Sequence, residues 1–417
     1  MRILLINQCF YPDVVSTAQH LTDIALKLVE RGHQVTVITG RRGYDDRGLK
    51  FASGEEWKGI RIIRVGSFGL GKKNRWRRVL DFGSFMLACA LRLAFMRRFD
   101  VVLGLTSPPL ISVLAALFVR LKGGRFYFWV MDLNPDEAIA AGWLRKDSAL
   151  AKILSSLLIF SLERSERVFV LDRFMKERLI GKGISEDKLV MIPPWSHDQV
   201  IHYDHSGRLS FRADHGLTDK FVVMYSGNHS PCHPLDTILS AASELSADTR
   251  IAFCFVGGGS EFGKARAFAD ARGLSNVLCI PYQRLEDLSA SLSAADLHVV
   301  AMGDSFTGLV HPCKIYNILA VGKPFLYVGP KESHISDIAS QIENKKAARI
   351  ALHGDTATVV NHIRDAAQLN LFRNDSSTFE LASRYSMQAL LPKMLDVLES
   401  AEKDSRPCDS PASDFVS

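Results

Sequence analysis

RILLINQCFYPDVVSTAQHLTDIALKLVERGHQVTVIT, residues 2–39, predicts a strand, a helix and a second strand in succession. The helix has a capping-box pair, Ser16 and Gln19, at its start, and Gly32 at its end. Both strands are short and mostly apolar, which is typical of strands that helices bury on both faces. This unit predicts an α/β protein built on parallel sheets.

The same alternation of short apolar strands and helices fills most of the chain and is interrupted once. The interruption covers residues 194–217, which are polar, aperiodic and headed by proline, so we expect a linker there. The alternation restarts with FVVMYSG at residues 221–227. We therefore predict two Rossmann-like, doubly wound domains whose ligand-binding strand ends face each other across a cleft. The expected boundaries are 1–200 and 201–375 for the two domains, 376–402 for a terminal helix and 403–417 for a disordered tail.

The composition is that of a soluble globular protein, with 47% hydrophobic and 23% charged residues. The seven cysteines are scattered and form no Cys-x-x-Cys pair, which argues against zinc and disulfides and fits a reducing cytoplasm. The net charge of +6 is too small to indicate nucleic-acid binding. No uncharged apolar run reaches the roughly 18 residues of a spanning helix, so we expect no transmembrane segment.

One short stretch concentrates positive charge around an aromatic residue, immediately before an apolar segment. Its residues are Lys72, Lys73, Arg75, Trp76, Arg77 and Arg78. A solvated basic loop would have this composition, and so would a segment that binds an anionic membrane surface. From these residues alone the two interpretations are equally good.

Three loops of the second domain are suited to binding anions, because each follows a strand and leads into a helix. The first contains Gly227 and Asn228. The second contains Gly257 and Gly258, where the lack of a side chain lets a ligand approach the backbone. These glycine-rich strand ends are therefore candidates for contact with a phosphorylated ligand.

The third loop leads into a short helix that we predict to open at Pro312 and to close at Gly322. Lys314 falls in its first turn, where the helix dipole repels a cation by roughly 0.3–1 kcal/mol. A lysine side chain that reaches solvent would explain this position. So would a bound anion, which reverses the sign of the interaction.

Several short sequence patterns that could indicate phosphate or metal sites do not support such a site. Gly258–Lys264 fits G-x-x-x-x-G-K, but Ala265 stands where a phosphate-binding loop needs Ser or Thr. His229 and His233 lie on either side of Pro231 in a loop, so we expect no metal site. No Asp-x-Asp pattern follows a strand and no G-x-G-x-x-G follows the first strand, which argues against metal-dependent nucleotide-sugar sites and dinucleotide dehydrogenases.

Stretches along most of residues 1–400, in order, resemble the family-four glycosyltransferases. They include the opening segment, VMDLNPDEA at 130–138, VVMYSGNHSPCHPLDTILSAASEL at 222–245, FCFVGGGSE at 253–261 and GLVHPCKIYNILAVGKP at 308–324. The chain looks most similar to the bacterial branch that builds cell-surface and exopolysaccharide glycans. The order and extent of the likeness make it more specific than any single motif.

The resemblance implies a GT-B fold, in which the first domain takes the acceptor and the second takes a nucleoside-diphosphate sugar. The final helix would return to the first domain. It implies a retaining glycosyltransferase that needs neither a bound metal nor another cofactor. Acceptors in this branch are commonly lipid-linked, so the resemblance favours a cytoplasmic protein whose basic stretch attaches it to the inner face of the cell membrane.

Many members of the family hold the diphosphate with an Arg and a Lys. This chain has Asn228 and His233 at those positions. A Glu that usually binds the ribose falls on Asn317, and a second Glu falls near Leu309 or is absent. Lys314 therefore becomes the main candidate for holding the donor.

By resemblance and position, the expected catalytic residues are Lys314, Asp132 and, if protonated, His233. Lys314 and His233 would stabilise the departing diphosphate. Asp132 would line the cleft, although a helix cap near Pro135 explains it almost as well. The expected donor-binding residues are Gly227, Asn228, Gly257, Gly258, Tyr282, Gly308, Leu309, Val310, Lys314 and Asn317. Those expected on the acceptor and membrane side are Ser16, Thr17 and the basic stretch.

Two other functions stay open. A nucleotide-sugar epimerase of the same fold would need acid/base carboxylates and histidines in the cleft, and it would act without an acceptor. A non-catalytic protein that binds glycans or assembly partners is also consistent with the missing Arg, Lys and Glu. Donor turnover, with and without acceptor, separates these possibilities.

Overall fold

The structure is a computed structural model that describes residues 1–43, 48–70, 75–369 and 376–403. The strands are β1 (Arg2–Ile6), β2 (Gln34–Gly40), β3 (Gly54–Trp57), β4 (Ile60–Val65), β5 (Val101–Gly104), β6 (Arg125–Trp129), β7 (Arg167–Val170), β8 (Leu189–Met191), β9 (Phe221–Asn228), β10 (Ile251–Gly258), β11 (Val277–Ile280), β12 (Leu297–Ala301), β13 (Phe325–Val328) and β14 (Ala348–Ala351).

The α-helices alternate with these strands along most of the chain. They are α1 (Ser16–Glu30), α2 (Arg75–Ala94), α3 (Ile111–Lys122), α4 (Asp136–Ala140), α5 (Ala149–Arg164), α6 (Arg173–Gly181), α7 (His205–Asp214), α8 (Asp236–Glu244), α9 (Phe262–Arg272), α10 (Leu288–Ser293), α11 (Lys314–Ala320), α12 (His334–Ser340), α13 (Thr356–Leu369), α14 (Ser376–Arg384) and α15 (Met387–Lys403). Among the described residues, none of these helices has both the length and the hydrophobicity needed to cross a bilayer.

The strands form two sheets, one in each half of the chain. The first has the order β3-β4-β2-β1-β5-β6-β7-β8, and the second has the order β11-β10-β9-β12-β13-β14. The second sheet is parallel, whereas β3 runs antiparallel to β4 at the edge of the first. The predicted α/β architecture with two parallel-sheet domains is therefore confirmed. Sequence patterns missed β3 because its four residues, GEEW, are mostly exposed and carry two glutamates.

The density of internal contacts divides the chain into two units. The first unit contains residues 1–129 and 160–168 and the chain from residue 391 onward, and the second contains residues 130–159 and 169–390. Most of α15 thus belongs to the first unit, where Arg31 binds Asp396 at 2.9 Å and Glu399 at 2.7 Å. The predicted return of the chain to the first domain is carried by α15, whereas the single helix expected over residues 376–402 is two helices, α14 and α15. Residues 404–417, nearly all of the predicted disordered tail, lie outside the described residues.

The segment predicted as a linker contains a helix, α7. The buried face of this helix consists of Arg208, Phe211 and Arg212, so it lacks the apolar periodicity from which a helix is usually predicted. Both arginines bind the buried carboxylate of Asp296. Charge pairing, together with the burial of Phe211 against the second sheet, fixes this helix.

Two predicted helix starts are wrong in detail. The N-cap of α1 is Val15, whose side chain makes no capping hydrogen bond, and Ser16 is the first helical residue. The Ser16 Oγ lies 3.3 Å from His20 Nδ1, so the predicted capping box does not form. Helix α11 begins at Lys314, two residues after Pro312. Gly322, with φ of +63°, ends that helix as predicted.

Candidate functional site

Three loops of the second unit lie side by side, because they follow the adjacent strands β10, β9 and β12. Gly227 and Gly257 have φ of +125° and +133°, which favour glycine. A Cβ on Gly257 would clash with the carbonyl oxygen of Gly227. The amide of Gly303 donates to the Cys232 oxygen at 2.9 Å and joins the loops after β9 and β12. The three loops predicted to bind anions therefore form one glycine-lined surface.

Lys314 places its ammonium group against this surface. A Cβ on Gly227 would lie 3.6 Å from Lys314 Nζ, and Nζ lies 3.3 Å from the centroid of the Tyr225 ring, a cation–π contact. Within the described part of the chain, Nζ is buried and has no hydrogen-bond partner. Burial lowers the pKa of Lys314 well below its usual value, since an unpaired cation is costly away from water.

Two histidines accompany Lys314. His229 Nδ1 donates to the Gly227 oxygen at 2.9 Å, so Nε2 carries the lone pair. Burial, and then the charge of Lys314, lower the pKa of His229 to about 4 and that of His233 to about 3. His229 Nε2 and His233 Nδ1 are buried without a hydrogen-bond partner among the described residues.

His233 is therefore neutral in the empty site at neutral pH, and its expected role as a cation requires that a ligand raise its pKa. Together with Lys314 it contributes to a set of three buried nitrogen atoms whose hydrogen-bonding capacity is unused. An anion with several oxygens would satisfy this set once its approach has protonated the nitrogens, because each would then donate a hydrogen bond.

Other predicted donor residues border the same loops. The Tyr282 ring lies over Gly258, where a Cβ would be 2.7 Å from Tyr282 Cε2, and the ring is 53% exposed. Asn228 is exposed, with its side-chain oxygen against Gly259. Asn317 is partly exposed and lies one helical turn after Lys314 on α11. Tyr282 and Asn228 thus border the glycine-lined surface, and the role of all three residues in donor binding stays a prediction.

Gly308, Leu309 and Val310 have a structural role in the loop that precedes α11. Gly308 has φ of +70°, and a Cβ there would lie 2.6 Å from the carbonyl carbon of Phe174. Leu309 and Val310 are buried, and the Leu309 oxygen accepts a hydrogen bond from the Leu133 amide at 2.9 Å. Their backbone shapes the site, whereas their side chains are packed away from solvent.

Asp132 lies on the loop between β6 and α4. Burial, and then the charge of Glu137, raise the pKa of Asp132 to about 8. The alternative that Asp132 caps the following helix is wrong, because the N-cap of α4 is Pro135 and that helix has no side-chain cap. Sequence reasoning missed Glu137, which lies five residues further along in the same quoted motif.

A second buried cluster was not predicted, because distant parts of the chain contribute its members. Asp172 accepts a hydrogen bond from the Met175 amide at 2.8 Å, and His311 Nδ1 lies 2.7 Å from the Asp172 carboxylate. Burial would raise the pKa of Asp172, but the hydrogen bond and charge of His311 lower it to about 2. His311 Nε2 lies 2.7 Å from the Tyr316 hydroxyl, so these hydrogen bonds connect Asp172 to helix α11, which carries Lys314.

His334 brings a third potential metal ligand within 4.8 Å of Asp172 and His311. However, the two imidazole rings are stacked, with centroids 3.7 Å and planes 18° apart. Lone pairs lie in the ring planes, so a metal bound to both nitrogens would be well out of at least one plane. The cluster is suited to hydrogen bonding rather than to metal coordination.

The residues predicted for the acceptor and membrane side belong to the first unit. Ser16 is exposed and Thr17 half-buried at the start of α1. Lys72 and Lys73 lie outside the described residues. Arg75, Trp76, Arg77 and Arg78 form the first turn of α2. Trp76 is 57% exposed, with the Arg77 guanidinium 5.3 Å from its ring centroid.

The rejected G-x-x-x-x-G-K pattern does not form a phosphate loop. Lys264, the lysine of that pattern, lies on α9 with an exposed side chain and binds Glu261 at 2.6 Å. The pattern is therefore a glycine turn followed by an exposed lysine that pairs with a glutamate of the same segment.

Comparison with known proteins finds similarity to glycosyltransferases. Residues 17–195 match the glycosyl transferase 4-like domain. WcaI of Escherichia coli K12, named as a colanic acid biosynthesis glycosyl transferase, is 25% identical over 343 residues, or 77% of this chain and 82% of that one. The glycosyltransferase WbjE of Pseudomonas aeruginosa is 27% identical over 245 residues, covering 59% of this chain and 61% of WbjE.

Solved structures agree on the fold. Sucrose-phosphate synthase from Thermosynechococcus elongatus superposes with a TM-score of 0.76 at 14% identity, over 97% of this chain and all of that one. HepE from Anabaena, in complex with UDP and glucose, gives 0.72 at 15% identity, over 96% and 100% of the two chains. WaaG, a glycosyltransferase of lipopolysaccharide biosynthesis, gives 0.70 at 16% identity, over 95% and 99%.

These matches and the two-sheet architecture together indicate which kind of protein carries the glycine-lined surface. Residues 17–195 are similar to the glycosyl transferase 4-like domain, and the two-sheet architecture is the GT-B fold of the solved glycosyltransferases that it matches. The relatives it resembles are bacterial glycosyltransferases, and WcaI is named for colanic acid biosynthesis.

Proposed function

We propose that this protein is a retaining, metal-independent glycosyltransferase that moves a hexose or related sugar from a nucleoside-diphosphate sugar to a lipid-linked glycan acceptor. The observation that carries the proposal is the buried, unpartnered Nζ of Lys314 beneath glycine-lined strand ends. The UDP-bound complexes of HepE, which has the same fold, support a nucleotide-sugar donor.

The geometry suggests how the leaving group would be stabilised. Departure of the diphosphate builds negative charge on its oxygens, and fixed positive groups lower the barrier if they are already in place. Lys314 would supply the charge that many family members take from an Arg and a Lys. His229 and His233 would take up protons as the anion approaches, because an opposite charge raises a histidine pKa.

Retention of configuration follows most simply from attack on the same face from which the diphosphate leaves. Among the described residues, the groups around the glycine-lined surface are the amine of Lys314, the imidazoles of His229 and His233, and backbone amides, none of which is a usual sugar nucleophile. In such a step the acceptor oxygen forms the new bond as the sugar–phosphate bond breaks, and the acceptor proton passes to the departing diphosphate. The ammonium of Lys314 would hold that diphosphate in position for both events.

Helix α2 supports attachment to a membrane surface. Its buried side packs inward through Phe85, Cys89 and Leu93. The opposite side exposes an apolar stripe at helical spacing, formed by Trp76, Leu80, Leu87 and Leu91. The neighbouring helix α3 exposes Leu117 and Leu121. Apolar residues with arginines at one end suit an anionic membrane interface.

Vesicle co-sedimentation tests the attachment. Vesicles that contain phosphatidylglycerol should retain the protein, whereas pure phosphatidylcholine should retain much less. Replacing the five cations of residues 72–78 by Gln, or Leu87 and Leu91 by Ser, should release it. A control variant carries Gln at the exposed cations Arg250, Lys264 and Arg272. Equal retention of all variants on both lipids, at low and high salt, would rule out this mode of attachment.

Transfer and melting experiments test the donor. A cognate nucleotide sugar should raise the melting temperature, because ligands bound to the native state stabilise it. Transfer to a lipid-linked acceptor should fall in Lys314→Ala and persist in Lys264→Ala. Sugar conversion without acceptor would instead indicate the epimerase, and stabilisation by no nucleotide sugar would indicate the non-catalytic protein.

A further inference from the structure

His311, three residues before Lys314 in the sequence, is held by hydrogen bonds on both sides of its ring. Asp172 is ionised at neutral pH because, against the effect of its burial, the contact with His311 lowers its pKa to about 2. An ionised carboxylate only accepts hydrogen bonds, so His311 Nδ1 is the donor across the 2.7 Å that separate them. On the other side, Nε2 lies 2.7 Å from the Tyr316 hydroxyl. The three side chains form one hydrogen-bonded network that ends on α11, the helix that begins at Lys314.

The network is buried and its rings are packed in place. Asp172, His311 and Tyr316 are each at most 7% exposed, so water competes little for these hydrogen bonds. The His311 ring stacks on His334 with centroids 3.7 Å apart, and the Tyr316 ring lies 4.9 Å from that of Tyr385. At the other end, Asp172 is fixed because its carboxylate caps the N-terminus of α6. The Tyr316 hydroxyl is therefore held in a defined position relative to α6.

Helix α11 depends on such contacts for the position of its first turn. It has seven residues, which is too short for a helix to be stable by itself in water, and its N-cap, Cys313, makes no side-chain capping hydrogen bond. The Cys313 thiol instead donates to the His311 oxygen at 3.2 Å. His311 thus holds the helix start through its backbone and, by way of Tyr316, through its ring. The buried apolar side chains of α11 add stability, but apolar burial is non-directional, whereas hydrogen bonds have a defined geometry.

The position of the Lys314 ammonium group follows from the position of this helix. Nζ lies against the face of Tyr225 and, among the described residues, has no hydrogen-bond partner. No hydrogen bond of the lysine side chain therefore fixes where the charge lies before a ligand binds. A catalytic group that is displaced by about 1 Å can lose on the order of 100-fold in rate. The contacts that fix the backbone of Lys314 are therefore important for its action.

We propose that Asp172, His311 and Tyr316 position Lys314 for contact with the donor diphosphate by fixing the first turn of α11. This inference rests on the proposed function, because it assumes that Lys314 acts on the diphosphate. The three are positioning residues rather than catalytic residues, since their side-chain hydrogen bonds are made within the protein.

A double-mutant cycle, measured by calorimetry, tests the proposal. The probes are UDP, GDP, ADP and CDP, and the tightest-binding one is used throughout. Lys314→Met should weaken its affinity about tenfold or more, since a hydrogen bond to a charged group is lost. Tyr316→Phe removes only the hydroxyl, keeps the ring beside Tyr385 and should weaken affinity about fivefold in the unmodified protein. In the Lys314→Met background the same substitution should change affinity less than about twofold, because the group that it positions is gone.

A second variant, a control and the contrary outcomes keep the test decisive. Asp172→Asn alters the other end of the network and should repeat the pattern of Tyr316→Phe. Tyr385→Phe removes a hydroxyl beside the network and should change affinity less than about twofold in either background. Melting curves establish which variants are folded. Equal weakening in both backgrounds, as general loosening of the site would cause, or no weakening by either folded variant, overturns the proposal.

Failure of the proposed function gives a different result. In that case no nucleoside diphosphate binds the unmodified protein, or Lys314→Met binds it normally, and this inference is refuted as well. Normal loss of affinity in Lys314→Met without the predicted coupling to Tyr316 refutes this inference alone.

Discussion

The second unit contains two buried groups of positive charge that differ in how well they are satisfied. In the first, Arg208 and Arg212 share the Asp296 carboxylate, and Arg208 also donates to three carbonyl oxygens of residues 293–295 at 2.7–3.0 Å. In the second, within the described residues, Lys314 Nζ lies against the face of Tyr225 and has no hydrogen-bond partner. One group is complete without a ligand and the other is not.

The difference separates structural charge from functional charge. Burying a cation is costly unless hydrogen bonds and an opposite charge compensate. Asp296 provides this compensation for α7, and it also accepts the Val222 amide at 2.8 Å, which ties the helix to β9. No described residue provides such compensation for Lys314 Nζ, so its burial contributes an unfavourable free energy that a bound anion would remove.

The largest expected effect is on the free energy of unfolding, and it comes from removing one arginine that pairs with Asp296. Arg208→Met should lower the free energy of unfolding by about 3–5 kcal/mol, because it leaves part of the Asp296 charge uncompensated. Urea unfolding at pH 7 measures this change. A loss below about 1 kcal/mol would mean that the two groups do not differ as described.

Removing the charge of Lys314 should reduce turnover without lowering the stability of the ligand-free protein. Lys314→Met should reduce kcat/KM about 100- to 1000-fold, the usual loss for one group that stabilises a leaving charge. The melting temperature of the ligand-free protein should stay the same or rise, because an unpaired buried cation is gone. Turnover and thermal unfolding are measured on the same variant. A variant that is destabilised but has normal turnover would show that Lys314 has a structural role instead.

Tyr282 should have an intermediate effect. Its ring is half exposed over Gly258, in a position to stack on a flat ligand group. Tyr282→Ala should weaken nucleoside-diphosphate binding by about 1–3 kcal/mol, the range for one stacked base, and Tyr282→Phe should bind normally. Calorimetric affinities of both variants test this. Equal weakening in the two would assign the effect to the hydroxyl instead.

Proton linkage is the smallest and most diagnostic effect. The pKa values of Lys314, His229 and His233 are all lowered in the empty site, so these groups are deprotonated over a wider pH range than usual. A diphosphate raises them, so binding should take up protons and affinity should fall as pH rises, by at most about 1.4 kcal/mol per pH unit for one proton. Titrations in buffers of different ionisation enthalpy measure the uptake; proton release would contradict the assignment.

Much of the fold and part of the site could be predicted from the sequence. The other features could not be predicted, for physical reasons. The apolar runs of β1 and β9 predict the sheets because burial on both faces leaves a local signal. Lys314 was predicted because a cation at a helix start is locally unfavourable. By contrast, α7 buries arginines, and the partner that makes this possible, Asp296, is distant in the sequence.

The same reasoning explains the unpredicted parts of the site. Asp172 and His311 are separated by 139 residues and only tertiary structure brings them together. Glu137 was quoted in a motif, but nothing in the local sequence shows that its carboxylate reaches Cys232. Residues that act through long-range contacts have no periodic or turn-forming signal of their own.

The central claim is that Lys314 holds the diphosphate of the donor, and a crystal structure with UDP tests it most directly. The account predicts a β-phosphate oxygen about 2.8 Å from Lys314 Nζ, the usual length of a charge-assisted hydrogen bond, above the backbone of Gly227. A UDP molecule whose phosphates lie away from Lys314, with Nζ still unpartnered, would contradict it.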